Sequence, residues 1–92
     1  MIPICPGRIL KRELAARALS SNRLALALRV PSGRITSILN GKRSITPETA
    51  LRLAHYFGNS PQFWMNLQTS YDLAVAEQTV GARIKAEVDT AA

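Results

Sequence analysis

The stretch SSNRLALALRVPSGRITSILNGKR, residues 20–43, decides the fold. Leu24, Ala25 and Leu28 recur on one face of a short helix that Ser20 or Ser21 can cap. Pro31 then disfavours a helical Val30 and breaks the chain. A second helix begins at Pro31 or Ser32 and buries Ile35, Ile38 and Leu39. It ends at Asn40-Gly41, where glycine can take the left-handed stop conformation. Two short helices around a tight break form a helix-turn-helix, whose second member is built to enter the major groove of DNA.

The outward face of that second helix carries Gly33, Thr36, Ser37 and Asn40, with Arg34 on its flank and no acid. A merely solvated face mixes acidic and basic residues. Gly33 has no side chain to hold a backbone away, and Thr36 and Ser37 both donate and accept. Arg34 suits a guanine edge, and Asn40 an adenine edge or a phosphate. Lys42 and Arg43, just past the helix, would lie near the phosphate backbone. Ser21 at the first helix's N-terminus would hold another phosphate, with Arg23 beside it. The bland alternative is a polar face followed by a Gly-Lys turn, and helix–break–helix alone does not dismiss it.

Charge placement does favour DNA. Residues 1–57 hold ten Lys or Arg against Glu13 and Glu48, a balance of +8. Residues 58–92 hold Arg83 and Lys85 against Asp72, Glu77, Glu87 and Asp89, a balance of −2. Between Glu13 and Glu48 there is no acid at all. A basic lobe joined to a mildly acidic one points to a polyanion partner for the first.

The remaining helices frame this pair, and no segment reads as a strand. In PGRILKRELAARA, Pro6 precedes a helix with Ile9, Leu10 and Leu14 inward. SITPETALRLAHYFG is the clearest helix signal: Thr46 caps, Pro47 and Glu48 suit the first turn, and Gly58 stops it. Ala50, Leu51, Ala54 and Phe57 form its expected core stripe. NSPQFWMNLQTSYDLAVAEQ repeats the logic, with Ser60 as cap and Phe63, Trp64, Leu67 and Tyr71 at helical spacing. The chain therefore reads as an all-α, five-helix domain over residues 1–77. A small, polar tail over residues 78–92 is expected to fray or to form a short extra helix.

Other function classes find little support. At 92 residues the chain is one small domain, and 47% hydrophobic content argues for a folded one. The one cysteine, Cys5, allows no internal disulfide or multi-cysteine metal site and reads as a small, partly buried residue. His55 has no acid or nucleophile arranged around it and fits the last turn of its helix. No phosphate-binding glycine loop appears, so neither an enzyme nor a cofactor is expected. No run approaches the roughly 20 apolar residues of a membrane span. The start, MIPICPG, does not resemble a secretory signal. A cytoplasmic protein is the expectation.

With NGKRSIT, LRLAHYFG and SPQFWMNLQ in this order and spacing, the chain resembles the HigA-type antitoxins, a branch of the Cro-like helix-turn-helix regulators. The resemblance runs from PGRIL to about Ala76. It implies a compact repressor-like fold and a homodimer that binds the operator of its own operon. It also implies neutralisation of a HigB-like, mRNA-cleaving toxin. Base reading is then carried by Ser32, Gly33, Arg34, Thr36, Ser37 and Asn40, and phosphate contact by Ser21, Arg23, Lys42 and Arg43. The dimer contact is expected in the second half, at Trp64, Leu67 and Tyr71, because the basic face must stay free. A stand-alone repressor without a toxin is the other reading. Three departures stand out. Cys5 and Arg8 replace the histidine and acid of a common HPGEIL start, Leu26 occupies a usually polar position, and Arg29 replaces a helix-end glycine.

Overall fold

The computed structural model describes residues 3–91. Five helices follow in order: α1 (Pro6–Ala16), α2 (Ser21–Leu28), α3 (Ser32–Leu39), α4 (Pro47–Phe57) and α5 (Pro61–Glu87). Local chemistry sets most of the boundaries. Ser20, Thr46 and Ser60 each accept a backbone N–H from three residues on, at 3.1, 3.4 and 3.1 Å, and so cap α2, α4 and α5. Gly58 ends α4 in the left-handed region, with φ +76°. Arg29 does the same for α2 with φ 59°, an unfavourable conformation for a residue with a Cβ.

The core gathers Leu10 and Leu14 of α1, Leu24, Ala25 and Leu28 of α2, and Ile35 and Ile38 of α3. Ile45, then Ala50, Leu53 and Ala54 of α4 and Trp64 of α5, complete it. α3 packs against α1 and α2, and α4 against α2 and α5. The recognition-helix candidate is thus seated on two neighbours through Ile35 and Ile38 while its other side stays open.

Two expectations about the core need correction. Leu51 is 59% exposed, and Leu53 is the leucine of α4 that enters the core. The buried stripe runs 50, 53, 54, 57, and Leu51 stands about 100° off Ala50. Phe63 is exposed beside Trp64, packing edge to face on it. Trp64 itself has no exposed surface. Its indole N–H donates to Asn59 Oδ1 at 2.9 Å, and its ring packs on Phe57. A residue consumed by its own core has no area to offer a second copy, so Trp64 is withdrawn from the dimer contact.

The chain also does not leave helix at residue 78. α5 runs unbroken for 27 residues. Ala, Glu, Gln, Arg and Lys dominate that segment and favour helix, and lone Gly81 weakens but does not stop it. At 1.5 Å per residue α5 spans about 40 Å, and the molecule measures 51 × 22 × 22 Å. Its radius of gyration, 15.8 Å, exceeds the roughly 12 Å of a compact chain this size. The C-terminal part of α5 projects beyond the core.

One buried polar residue ties α5 to the site. Gln68, 5% exposed, accepts the backbone N–H of Ile45 at 2.8 Å and donates to Asp72 at 2.9 Å. Ile45 lies in the loop that leaves α3, so this bond anchors that loop from below. Gln68→Met keeps the volume but strands the buried N–H of Ile45. We expect a loss of about 1–3 kcal/mol in urea unfolding.

Candidate nucleic-acid interface

The turn between α2 and α3 holds its shape through backbone geometry. The Val30 N–H donates to the Ala25 carbonyl at 3.0 Å and the Arg34 N–H to the Pro31 carbonyl at 3.0 Å. At its far end α3 closes with the Gly41 N–H on Ile38 and the Lys42 N–H on Ser37, at 3.1 and 2.8 Å. Gly41 supplies the left-handed residue, φ +74°. These bonds fix where Asn40, Lys42 and Arg43 leave the helix.

Ser32, Gly33, Thr36 and Asn40 are exposed along α3, and Ser37 is half-buried. The Thr36 hydroxyl donates to the Ser32 carbonyl at 3.2 Å, and its oxygen can still accept. A Cβ placed on Gly33 would meet no heavy atom within 4 Å, so nothing inside this chain requires a glycine there. Glycine in a helix interior costs about 0.8–1 kcal/mol relative to alanine, and this is the upper limit for Gly33, the second residue of α3. Gly33→Ala is therefore expected to raise stability by up to about 1 kcal/mol in chemical denaturation.

Arg34 differs from the sequence picture of an acid-free face. Its Nη1 lies 3.1 Å from Glu48 Oε1 on α4. The window without acids in sequence thus has one beside it in space. Glu48 also faces Arg52 at 3.8 Å, and Arg52 Nη1 donates to the last carbonyl of α2, Leu28, at 2.8 Å. The Glu48–Arg52 pair has the i,i+4 spacing of one helix, but the links of Arg34 to Glu48 and of Arg52 to Leu28 are not visible in helical periodicity. The Arg34–Glu48 pair spans 14 residues, and Glu48 reads locally as a first-turn acid.

Glu13 is paired as well, with Arg17 at 3.3 Å. Among the described residues, the ion pairs of the first four helices engage Arg17, Arg34 and Arg52 and leave out Arg23, Lys42 and Arg43. Those three are exposed, Arg23 on α2 and the others just past α3. Ser21 is half-buried in the first turn of α2. Of the predicted phosphate set, Ser21 and Arg23 thus lie at the start of α2, and Lys42 and Arg43 follow directly on α3.

The other singled-out residues lie elsewhere. His55 is exposed in the last turn of α4, and no cluster of metal-ligating side chains occurs among the described residues. Leu26 is 78% exposed on α2. Leu67 and Tyr71 are half-buried on α5, where they line an apolar cleft with Ile4, Ile9 and Ala74. No helix of the described residues is long and apolar enough to cross a membrane.

Comparison with known proteins agrees with this fold. A family model described as helix-turn-helix matches residues 10–64. Virulence-associated protein I of Dichelobacter nodosus is 51% identical over 79 residues, which is 85% of this chain and 73% of that protein. An addiction module antidote protein of the HigA family from Coxiella burnetii superposes with a TM-score of 0.96 at 50% identity, covering 99% of this chain and all of that one. Pseudomonas aeruginosa antitoxin HigA, solved with the higBA promoter, gives 0.96 at 40% identity over 99% of this chain and all of its own.

Proposed function

The chain belongs to the helix-turn-helix family, in its HigA-type antitoxin branch, and from that premise we propose that it represses its own operon and neutralises a HigB-like toxin. The branch is non-enzymatic, and its Pseudomonas member was solved on promoter DNA. The observation that carries the reading is the open face of α3: polar, with Glu48 the one acid beside it and paired to Arg34, and with Arg23, Lys42 and Arg43 exposed and outside the ion pairs of the first four helices. In this reading Ser32, Gly33, Arg34, Thr36, Ser37 and Asn40 meet base edges. Ser21, Arg23, Lys42 and Arg43 take phosphates.

The chain works as a homodimer. A second copy covers the apolar cleft at Leu67 and Tyr71, leaving the basic face free. Two-fold symmetry then asks for a palindromic operator with half-sites about 34 Å apart. The toxin is an mRNA-cleaving ribonuclease encoded beside this chain.

Two measurements separate the parts of this proposal. A reporter placed behind the chain's own upstream DNA should be silenced when the chain is expressed. Unchanged reporter output would remove the repressor role. The product of the adjacent small reading frame should co-purify with the chain, and its toxicity should vanish on co-expression. Failure to bind would leave a stand-alone repressor.

A further inference from the structure

The ion pair on α3 does little for stability, and this is the reason to look for another role. Glu48's side chain is 62% exposed and Arg34's 27%, and exposed pairs of this kind contribute little. Its position is more telling than its strength. Glu48 is the one acid beside a helix face otherwise bare of them, and it holds the one arginine on that face. Glu48 is itself steered from behind by Arg52, which is fastened to the Leu28 carbonyl at the end of α2. The chain of contacts Leu28–Arg52–Glu48–Arg34 thus links the first helix of the motif, through α4, to the flank of the second.

We propose that Glu48 is a positioning residue for sequence discrimination: it holds Arg34 by Nη1, presents the rest of its guanidinium to a base, and keeps it off the phosphates. The inference rests on the DNA-binding reading above. Two physical effects combine. A free arginine side chain gives up much rotamer freedom when it docks on a base, and a held one gives up less. The carboxylate beside Arg34, in a cleft that Arg43 also lines, also offsets the Arg34 charge that would otherwise attract any backbone. Specific binding retains its arginine and non-specific binding loses a phosphate contact. Discrimination rises without any contact between Glu48 and DNA.

The test compares wild type, Glu48→Gln, Arg34→Ala and the double variant. Each is titrated onto the chain's upstream duplex and a base-shuffled duplex across a salt series. Glu48→Gln should bind the shuffled duplex about 5–10-fold tighter, with a salt slope steeper by about one phosphate contact. The upstream affinity should rise less or fall, so that the ratio between the duplexes drops about tenfold. In the Arg34→Ala background the same change should leave that ratio where it was. A ratio unaffected by Glu48→Gln overturns the inference. So does an equal drop with and without Arg34, because Glu48 would then act as bulk charge. If wild type itself does not tell the duplexes apart, the operator reading falls and takes this inference with it.

Discussion

Gly7→Ala should cost this domain about 3 kcal/mol of unfolding free energy, read from the urea midpoint. Alanine is the better helix former, so at a typical helical glycine the sign would be the opposite. Here Gly7 is buried near the start of α1, and a Cβ on it would run into the carbonyl of Ile38 near the end of α3. The obstacle is backbone, so no side chain can rotate away, and the two helices must part. For a domain whose total stability is of order 5–15 kcal/mol, that is a large fraction. The displaced element is α3 itself, so the surviving folded fraction should bind upstream DNA poorly. The contrast with Gly33→Ala, on α3 and expected to stabilise, isolates close approach as the cause.

Arg34→Ala should lower affinity for the upstream operator by about 5–150-fold, the equivalent of roughly 1–3 kcal/mol for a bidentate base contact. Affinity for shuffled DNA should change far less, and preference should relax at one position of each half-site. Lys42→Ala should behave differently, weakening operator and shuffled duplexes alike and lowering the salt slope by about one. Competition titrations with single-position operator variants distinguish the two patterns. Equal losses on both duplexes for Arg34→Ala would place it among the phosphate contacts instead.

Residue type explains how much of this was legible before the structure. Ile35 and Ile38 recur at helical spacing between a proline break and an Asn-Gly stop, and both are buried. Ser20, Thr46 and Ser60 declare their helices because capping is local chemistry. The misreadings fall where local pattern is ambiguous. In ALRLA of α4, Leu51 and Leu53 both neighbour a plausible stripe, and only the packing partner chooses Leu53. Trp64 reads as interface or core from spacing alone, and its burial decides for core. The length of α5 was hidden because its last residues bury little, although their helix propensities favoured continuation.

The parts of the site that sequence did not reveal are long-range contacts. Arg34 and Glu48 meet across 14 residues, and Gly7 meets Ile38 across 31 positions in the chain. No periodicity connects such pairs. Gln68 is an intermediate case. It stands four residues after Trp64 on the same inward stripe, and a glutamine in a core register signals a buried hydrogen bond.

The central claim is that the open face of α3 reads the chain's own upstream DNA. Its most direct test is the affinity ratio between that duplex and a base-shuffled duplex of equal length, at matched salt. The account predicts a ratio of about 10³ or more near physiological salt, with both affinities falling steeply as salt rises. Equal affinities at every salt concentration would contradict it.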